Sequence, residues 1–443
     1  MKRVVALVLA MALCGTMFAG CQNKPAASTA PVSSDTPTSS AAVSEPAKPT
    51  EITVVTSYGG DDGNRKNYEA AYKAYEKDTG NTVKDASGTS NEEWKSKIMA
   101  DFETGAEPDV LFYFTGADAN KFVQGGKVVS LEEIRKVYPD YANNMREDFL
   151  VPSPVDNKVY TVPVNGYWEG LFVNKKVLAD AGVKVPGADY TWDQFLKDCE
   201  TIKAKGYTPI ACSLQEVPHY WFEYTVFNHG TVADHLKLPT SSTDEVGKKW
   251  VSGLNDIKTL YTKGYFPKNT TTATDAETFQ LMADNKAAFA IDGSWKLGWF
   301  KDNAKSIDDF TVTYVPGANQ RKTTDMVGGI SMGYYITKKA WDDPAKQKAC
   351  VDFVKAMTTD DVVSSFGATA FTALKNGAKA PKETNSLINA ALAMTKGATG
   401  ITAAAQDGLG KNSRTQLFAD IKNIVTGKST AEKTLDTDLA IKG

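Results

Sequence analysis

From residue 51 onward, short apolar runs alternate with stretches of helical spacing, and that alternation admits few folds. "EITVVTS" (51–57) has the β-branched character of a strand. "RKNYEAAYKAYEKDTG" follows, with Tyr68, Tyr72 and Tyr75 at helical spacing and Gly80 as its stop. "NEEWKSKIMADFETG" (91–105) is a second expected helix, "PDVLFYF" (108–114) a buried strand, and "ANKFVQGG" a short helix stopped by Gly125-Gly126. Strand, helix, strand, helix predicts parallel α/β.

The second half keeps this style. "LFVNKKVLADAGV" is strand then helix, and "TWDQFLKDCETIKAKG" (191–206) is a helix with Thr191 as N-cap and Gly206 as its stop. "YTPIACS" is a strand. "DAETFQLMADNKAAFAIDGSW" is a helix, a turn at Asn285 and an apolar strand. "DFTVTYVP" and "SMGYYIT" are strands, "DPAKQKACVDFVKAMTT" is a helix, and the Ala-rich tail from about 384 is helical. A hydrophobic content of 42% supports well-filled cores, and the length after residue 50 predicts two domains.

The chain before residue 51 has a different character. Lys2 and Arg3 precede an uncharged apolar run from Val4 to Gly20, the layout of a secretory signal peptide over 1–20. "FAGC" (Phe18 to Cys21) resembles the bacterial lipobox, in which the cysteine thiol takes a diacylglycerol and becomes the first residue. Residues 21–50 then read as lipid anchor and disordered linker, because Ala, Ser, Thr and Pro without an aromatic residue cannot form a core. The expected location is the outer face of the bacterial cytoplasmic membrane, held by lipid at Cys21. Losing Lys2 and Arg3 with the leader takes a net charge of −3 two units lower. No basic patch stands out, so nucleic acid is excluded as a partner. Cys199, Cys212 and Cys350 remain after export, with no CxxC, which argues against a disulfide framework or a zinc ribbon. Buried free thiols are the expectation, with a Cys199–Cys212 pair as the alternative.

The order of motifs resembles the extracellular family 1 solute-binding lipoproteins of bacterial ABC importers, similar to maltodextrin-binding proteins. "DFETGAEPDVLFYF", "YTVPVNGYWEGLFVNKKVLADAGV", "TWDQF", "NKAAFAIDGSW" and "MVGGISMGYYIT" match family segments in order, from about 51 to 430. Val173 stands where tyrosine is usual, and Asn285 where glycine is usual. The resemblance implies an α/β, two-lobed, periplasmic-binding-protein-like (type II) fold with hinge strands between the lobes. On that pattern the first lobe takes 51–163 and 312–368, and the second takes 164–311 and 369–443. Crossings are expected at "YTVP", near 312–316 and at 367–373. It also implies a monomeric receptor that binds a mono- or oligosaccharide and delivers it to membrane permease subunits.

A sugar needs planar rings for its C–H faces and fixed polar groups for its hydroxyls. In open α/β sheets these gather at strand C-ends. Collecting those loops gives Tyr58, Asp61 and Asp62 after the first strand, and Asp118 after "PDVLFYF". Tyr167 and Trp168 come from "NGYWEG", and Glu216, His219 and Trp221 from "LQEVPHYWFEY". Trp295 comes from "DGSW", and Gly328 and Gly329 offer bare backbone. Trp94, Trp250 and Trp341 read as helix packing.

Enzyme readings fare worse. "GISMG" (329–333) fits G-x-S-x-G around Ser331, but His219, His229 and His235 all precede it and a strand follows it, which is not a nucleophile elbow. No HExxH or P-loop spacing occurs, so no metal and no cofactor is expected. A surface polysaccharide-degrading lipoprotein is the alternative from another class, since carboxylate pairs are plentiful.

Overall fold

The computed structural model describes residues 49–441, apart from Asp61, Asn165 and Ala368. The expected leader, Cys21 and nearly all of the linker lie outside the described residues. Among the described residues, eleven strands form two sheets. The first sheet runs β2 (Thr82–Asp85), β1 (Glu51–Val55), β3 (Val110–Phe114), β10 (Met332–Ile336), β4 (Val162–Pro163). The second runs β11 (Gly400–Thr402), β9 (Asp325–Gly329), β5 (Tyr167–Asn174), β7 (Ala287–Gly293), β6 (Thr208–Ile210), with β8 (Phe310–Thr313) also paired to β5.

Each sheet is covered on both faces, which is why central strands such as β3, β5 and β7 are almost wholly buried, while the edge strands β2 and β11 are not. In the first lobe Val110 and Phe112 of β3 face one cluster, with the helices Arg65–Thr79 and Pro344–Met357, while Leu111 and Tyr113 face another. In the second lobe Leu171 and Val173 of β5 face the helices Trp192–Ala204, His219–Phe227 and Glu245–Thr262. Phe172 faces the other cluster, with Phe279, Phe300 and Leu387.

The sheets are mixed, not wholly parallel as the alternation suggests. β1 is parallel to β2 and β3, but β10 is antiparallel to β3 and β4. β5 is antiparallel to β7, β8 and β9. The reversals arise where the chain returns from one lobe to the other. The Ala-rich tail also carries β11, parallel to β9, which its composition hides.

Strand pairing places the crossings. β4 lies in the first sheet and β5 in the second, so the first crossing is at 163–167. β8 and β9 both pair with β5, so the return expected near 312–316 falls instead between Gly329 and Met332. Ala373 and Leu374 join the first-lobe core, and the Lys379 amide donates to Ser364. The third crossing, expected at 367–373, therefore falls instead between Lys379 and the helix Ser386–Gly397. Phe371 still touches the hinge, where its carbonyl accepts from the Gly166 amide at 2.5 Å. A Cβ on Gly166 would meet that carbonyl at 2.4 Å and the Gly329 carbonyl at 2.7 Å. The connections thus converge on a glycine that leaves them room.

Cys199, Cys212 and Cys350 are free and buried. Among the described residues no helix is long and apolar enough to cross a membrane, and no group of His, Cys, Asp and Glu has the arrangement of a metal site.

Candidate ligand site between the lobes

The loops that meet between the two sheets carry a row of partly exposed rings. Tyr167 opens β5, Tyr220 lies in the first turn of the helix His219–Phe227, and Trp295 follows β7 at the start of the helix Lys296–Asn303. The Trp295 ring centroid is 6.2 Å from that of Tyr167 and 6.2 Å from that of Tyr220. His219 continues the row, 4.1 Å from Tyr220 and 5.4 Å from Phe418. The indole of Trp295 lies where a Cβ on Gly293 would be, at 2.2 Å, so the glycine of "DGSW" is what lets the ring lie flat over the strand end.

Beside the rings sits a set of buried carboxyls. Glu169 is on the same face of β5 as Tyr167, and Glu223 is one helical turn beyond Tyr220. Their exposures are 4% and 1%. Burial pushes Glu169 up to about 7 and Glu223 well above its ordinary range. Glu223 Oε1 accepts from Gln406 Nε2. Glu169 Oε2, Glu223 Oε2 and Gln406 Oε1 find no hydrogen-bond partner among the described residues. With their pKa values raised, these carboxyls retain protons and offer both donors and acceptors to a ligand. On the other side of Trp295, Lys296 Nζ lies 3.1 Å from Asp275 and 3.6 Å from Asp292. Burial works against its charge, but the two carboxylates overcome that and hold its pKa up.

The first lobe reaches this site at two places. Asp62 lies in the loop after β1, where burial raises its carboxyl to about 6 against the pull of the Asn64 amide and of Lys296. In the same loop, Gly63 touches the backbone of Trp295 and Gly298. At the other place Arg414, from the helix Lys411–Val425, reaches Asp118 at 2.7 Å and Glu92 at 3.5 Å. Lys95 lies 3.3 Å from Asp118, and Thr415 donates to Glu92 at 2.8 Å. Burial would push Asp118 up, but Lys95 and Arg414 hold it below the usual carboxylate range.

The expected site residues therefore divide. Tyr167, His219, Trp295, Asp62 and Asp118 converge between the lobes. For His219, burial and then Lys95 lower the imidazole to about 3, so it is neutral at physiological pH. Asp118 is committed on both oxygens to the Arg414 and Lys95 ions. Asp61 lies outside the described residues.

Others sit elsewhere. Tyr58 is buried in the first lobe, stacked on Phe112 at 4.9 Å. Trp168 is fully buried, because its alternate position on β5 turns it away from Tyr167, and its Nε1 donates to the Thr369 carbonyl at 2.9 Å. Trp221 is buried against Phe195, at 5.7 Å, on the inner face of its helix. Glu216 is exposed and accepts from the Asp275 amide at 2.7 Å, at the start of the helix Asp275–Ala283. Gly328 and Gly329 pair with Trp168 and Tyr167, and a Cβ on Gly328 would strike the Tyr167 carbonyl at 2.8 Å. Their bare backbone serves the hinge. Tyr220, Glu169, Glu223, Lys296 and Arg414 are the members that loop reading missed. A signal existed for Glu169, two residues after Tyr167 on one strand.

The family model for "Bacterial extracellular solute-binding protein" matches residues 61–363. A multiple sugar-binding protein of Streptococcus mutans is 29% identical over 231 residues, covering 49% of this chain and 52% of that protein. The melibiose/raffinose/stachyose-binding protein of Bacillus subtilis is 27% identical over 215 residues, covering 45% of this chain and 47% of its own. The chain spans about half the length of the curated relatives it matches. A chitin oligosaccharide binding protein of known structure superposes with a TM-score of 0.75 at 24% identity, over 88% of this chain and 97% of that one. At that identity the likeness is one of fold, the two-lobed type II fold expected above. With the family model matched over more than half its length, the chain belongs to the bacterial extracellular solute-binding proteins.

Proposed function

We propose that this chain is the lipid-anchored receptor of an ABC importer, without enzymatic activity, that binds a neutral mono- or oligosaccharide between its lobes and delivers it to a membrane permease. The observation that carries the reading is the row Tyr167, Trp295 and Tyr220 beside unpartnered oxygens on Glu169, Glu223 and Gln406. A pyranose has apolar C–H faces to lay on indole and phenol rings. Its hydroxyls can both donate to and accept from these carboxyls, and an unmet buried polar atom is unfavourable. The multiple sugar-binding and the melibiose/raffinose/stachyose-binding relatives support the same class.

The lobes would close about the segments 163–167, 329–332 and 379–386, since a ligand biases closure only by binding the closed state better. Export and a lipid on Cys21 follow from the leader. The test is a melting series with melibiose, raffinose, stachyose and a chitin oligosaccharide, with reducing ends assayed in parallel. A receptor shows a saturable rise for at least one sugar, since ligand at 100 times Kd adds about 2.7 kcal/mol, and no new reducing ends. Release of reducing ends would instead favour the polysaccharide-degrading reading.

A further inference from the structure

Two glycines face each other across the lobes without any backbone need to be glycine. Gly63 belongs to the loop after β1, in the first lobe, and Gly298 to the helix Lys296–Asn303, in the second. Neither has a positive φ. Gly298 even sits inside a helix, where glycine is the least favourable residue after proline. Space explains both. A Cβ on Gly298 would lie 2.6 Å from the Gly63 carbonyl oxygen and 2.8 Å from Gly63 Cα. A Cβ on Gly63 would lie 2.3 Å from the Trp295 carbonyl oxygen and 3.1 Å from Gly298 Cα. These are backbone atoms, so no rotamer change relieves them.

From this we infer that the Gly63–Gly298 contact is the stop that sets how far the lobes close, and that Gly298 is a positioning residue for the Trp295 platform. Trp295 and Gly298 are three residues apart, so they share a helix face and move together. Away from the hinge, two other contacts between the lobes end in side chains. Lys66 and Asp302 meet at 2.8 Å with both largely exposed, and Arg414 reaches Asp118 through a long guanidinium arm. Such contacts adapt to a shift of an ångström or so, whereas a backbone-to-backbone contact does not. The first-lobe loop can rest on the first turn of the helix only where both residues lack a Cβ. The rings of Tyr167, Trp295 and Tyr220 are then roofed by the first lobe at one fixed height. The inference rests on the proposed closing of the lobes around a sugar.

The experiment measures the distance between spin labels at Lys73→Cys and Lys305→Cys, exposed positions on opposite lobes, in frozen solution. Cys199, Cys212 and Cys350 are buried, and Cys14 and Cys21 are changed to serine, which leaves the labels specific. Samples are taken without sugar and with raffinose or a chitin oligosaccharide. The wild-type background should populate a short distance, and Gly298→Ala and Gly63→Ala should each deplete it roughly tenfold, the scale of an overpacked contact. Gly230→Ala, where a Cβ meets nothing nearer than 3.8 Å, should leave it unchanged. The sugar-free melting temperature of Gly298→Ala should be unchanged or higher, because alanine favours the helix. A short-distance population retained in Gly298→Ala, or absent from the wild type, would overturn the inference. So would a melting temperature many degrees lower in either variant, which would make these glycines ordinary packing. If neither sugar binds, yet the wild type shows the short distance and Gly298→Ala loses it, the sugar reading fails while the closing stop stands.

Discussion

Trp295 separates binding from packing. Its ring is partly exposed beside Tyr167 and Tyr220, whereas Trp221 is buried among Phe195 and Phe266. Trp295→Ala should weaken binding of the recognised sugar by about thirtyfold or more, as loss of an aromatic anchor does, with the sugar-free melting temperature nearly unchanged. Trp221→Ala should instead lose roughly 3–5 kcal/mol of fold stability. Calorimetry and melting on the two variants distinguish the roles, and a Trp295→Ala protein that binds normally but melts early would reverse them. The buried pair Glu169 and Glu223 makes a pH prediction. A carboxyl whose folded pKa is raised stabilises the fold fully below its unfolded value and loses that contribution as pH rises through the folded one. Stability should therefore fall from about pH 4.3, the ordinary glutamate value, through about 7, where burial puts Glu169. Glu169→Gln with Glu223→Gln should flatten that slope in urea titrations at successive pH values. An unaltered slope would assign it to other groups. At this scale the sequence reveals residue type and loop position but not which way a side chain points. Tyr167 and Trp168 are neighbours on β5, and alternation sends one to the site and the other to the core. Arg414 was illegible because Asp118 lies nearly three hundred positions earlier in the chain.

Helix ends were the most legible features, because caps are written in the local sequence. Thr191 accepts from the Gln194 amide, and Gly206 is left-handed at φ 87°. Asn285, where the family pattern has glycine, takes the left-handed turn at φ 58° before β7, which an asparagine tolerates. Strand direction was not legible, since β9 and β10 read alike as apolar runs but join different sheets. One element prediction concerns the helix Asp275–Ala283, whose Thr274 and Glu277 form a capping box. It presents Asp275 to Lys296 at the edge of the site. Thr274→Ala should cost about 1 kcal/mol of stability, read by urea denaturation. Sugar affinity should change far less than in Trp295→Ala. A loss of affinity as large as that one would make the helix start part of the binding surface itself.

At the scale of the whole molecule, the two lobes were legible from strand–helix order and from the family resemblance, but the return crossing was not. The family resemblance puts a passage near 312–316, and only pairing with β5 keeps both β8 and β9 in the second sheet. The convergence on Gly166, with Phe371 and Gly329 against it, is a property of three distant segments and has no local signature. Around that junction the lobes meet through Arg414 with Asp118 on one side and Gly63 with Gly298 on the other. The measurement that tests the reading most directly is small-angle scattering of the exported chain during a titration with each sugar that raises its melting temperature. A receptor that closes on its ligand gives a radius of gyration that falls and saturates in step with binding. A radius unchanged at full saturation would contradict closure of the lobes around a sugar.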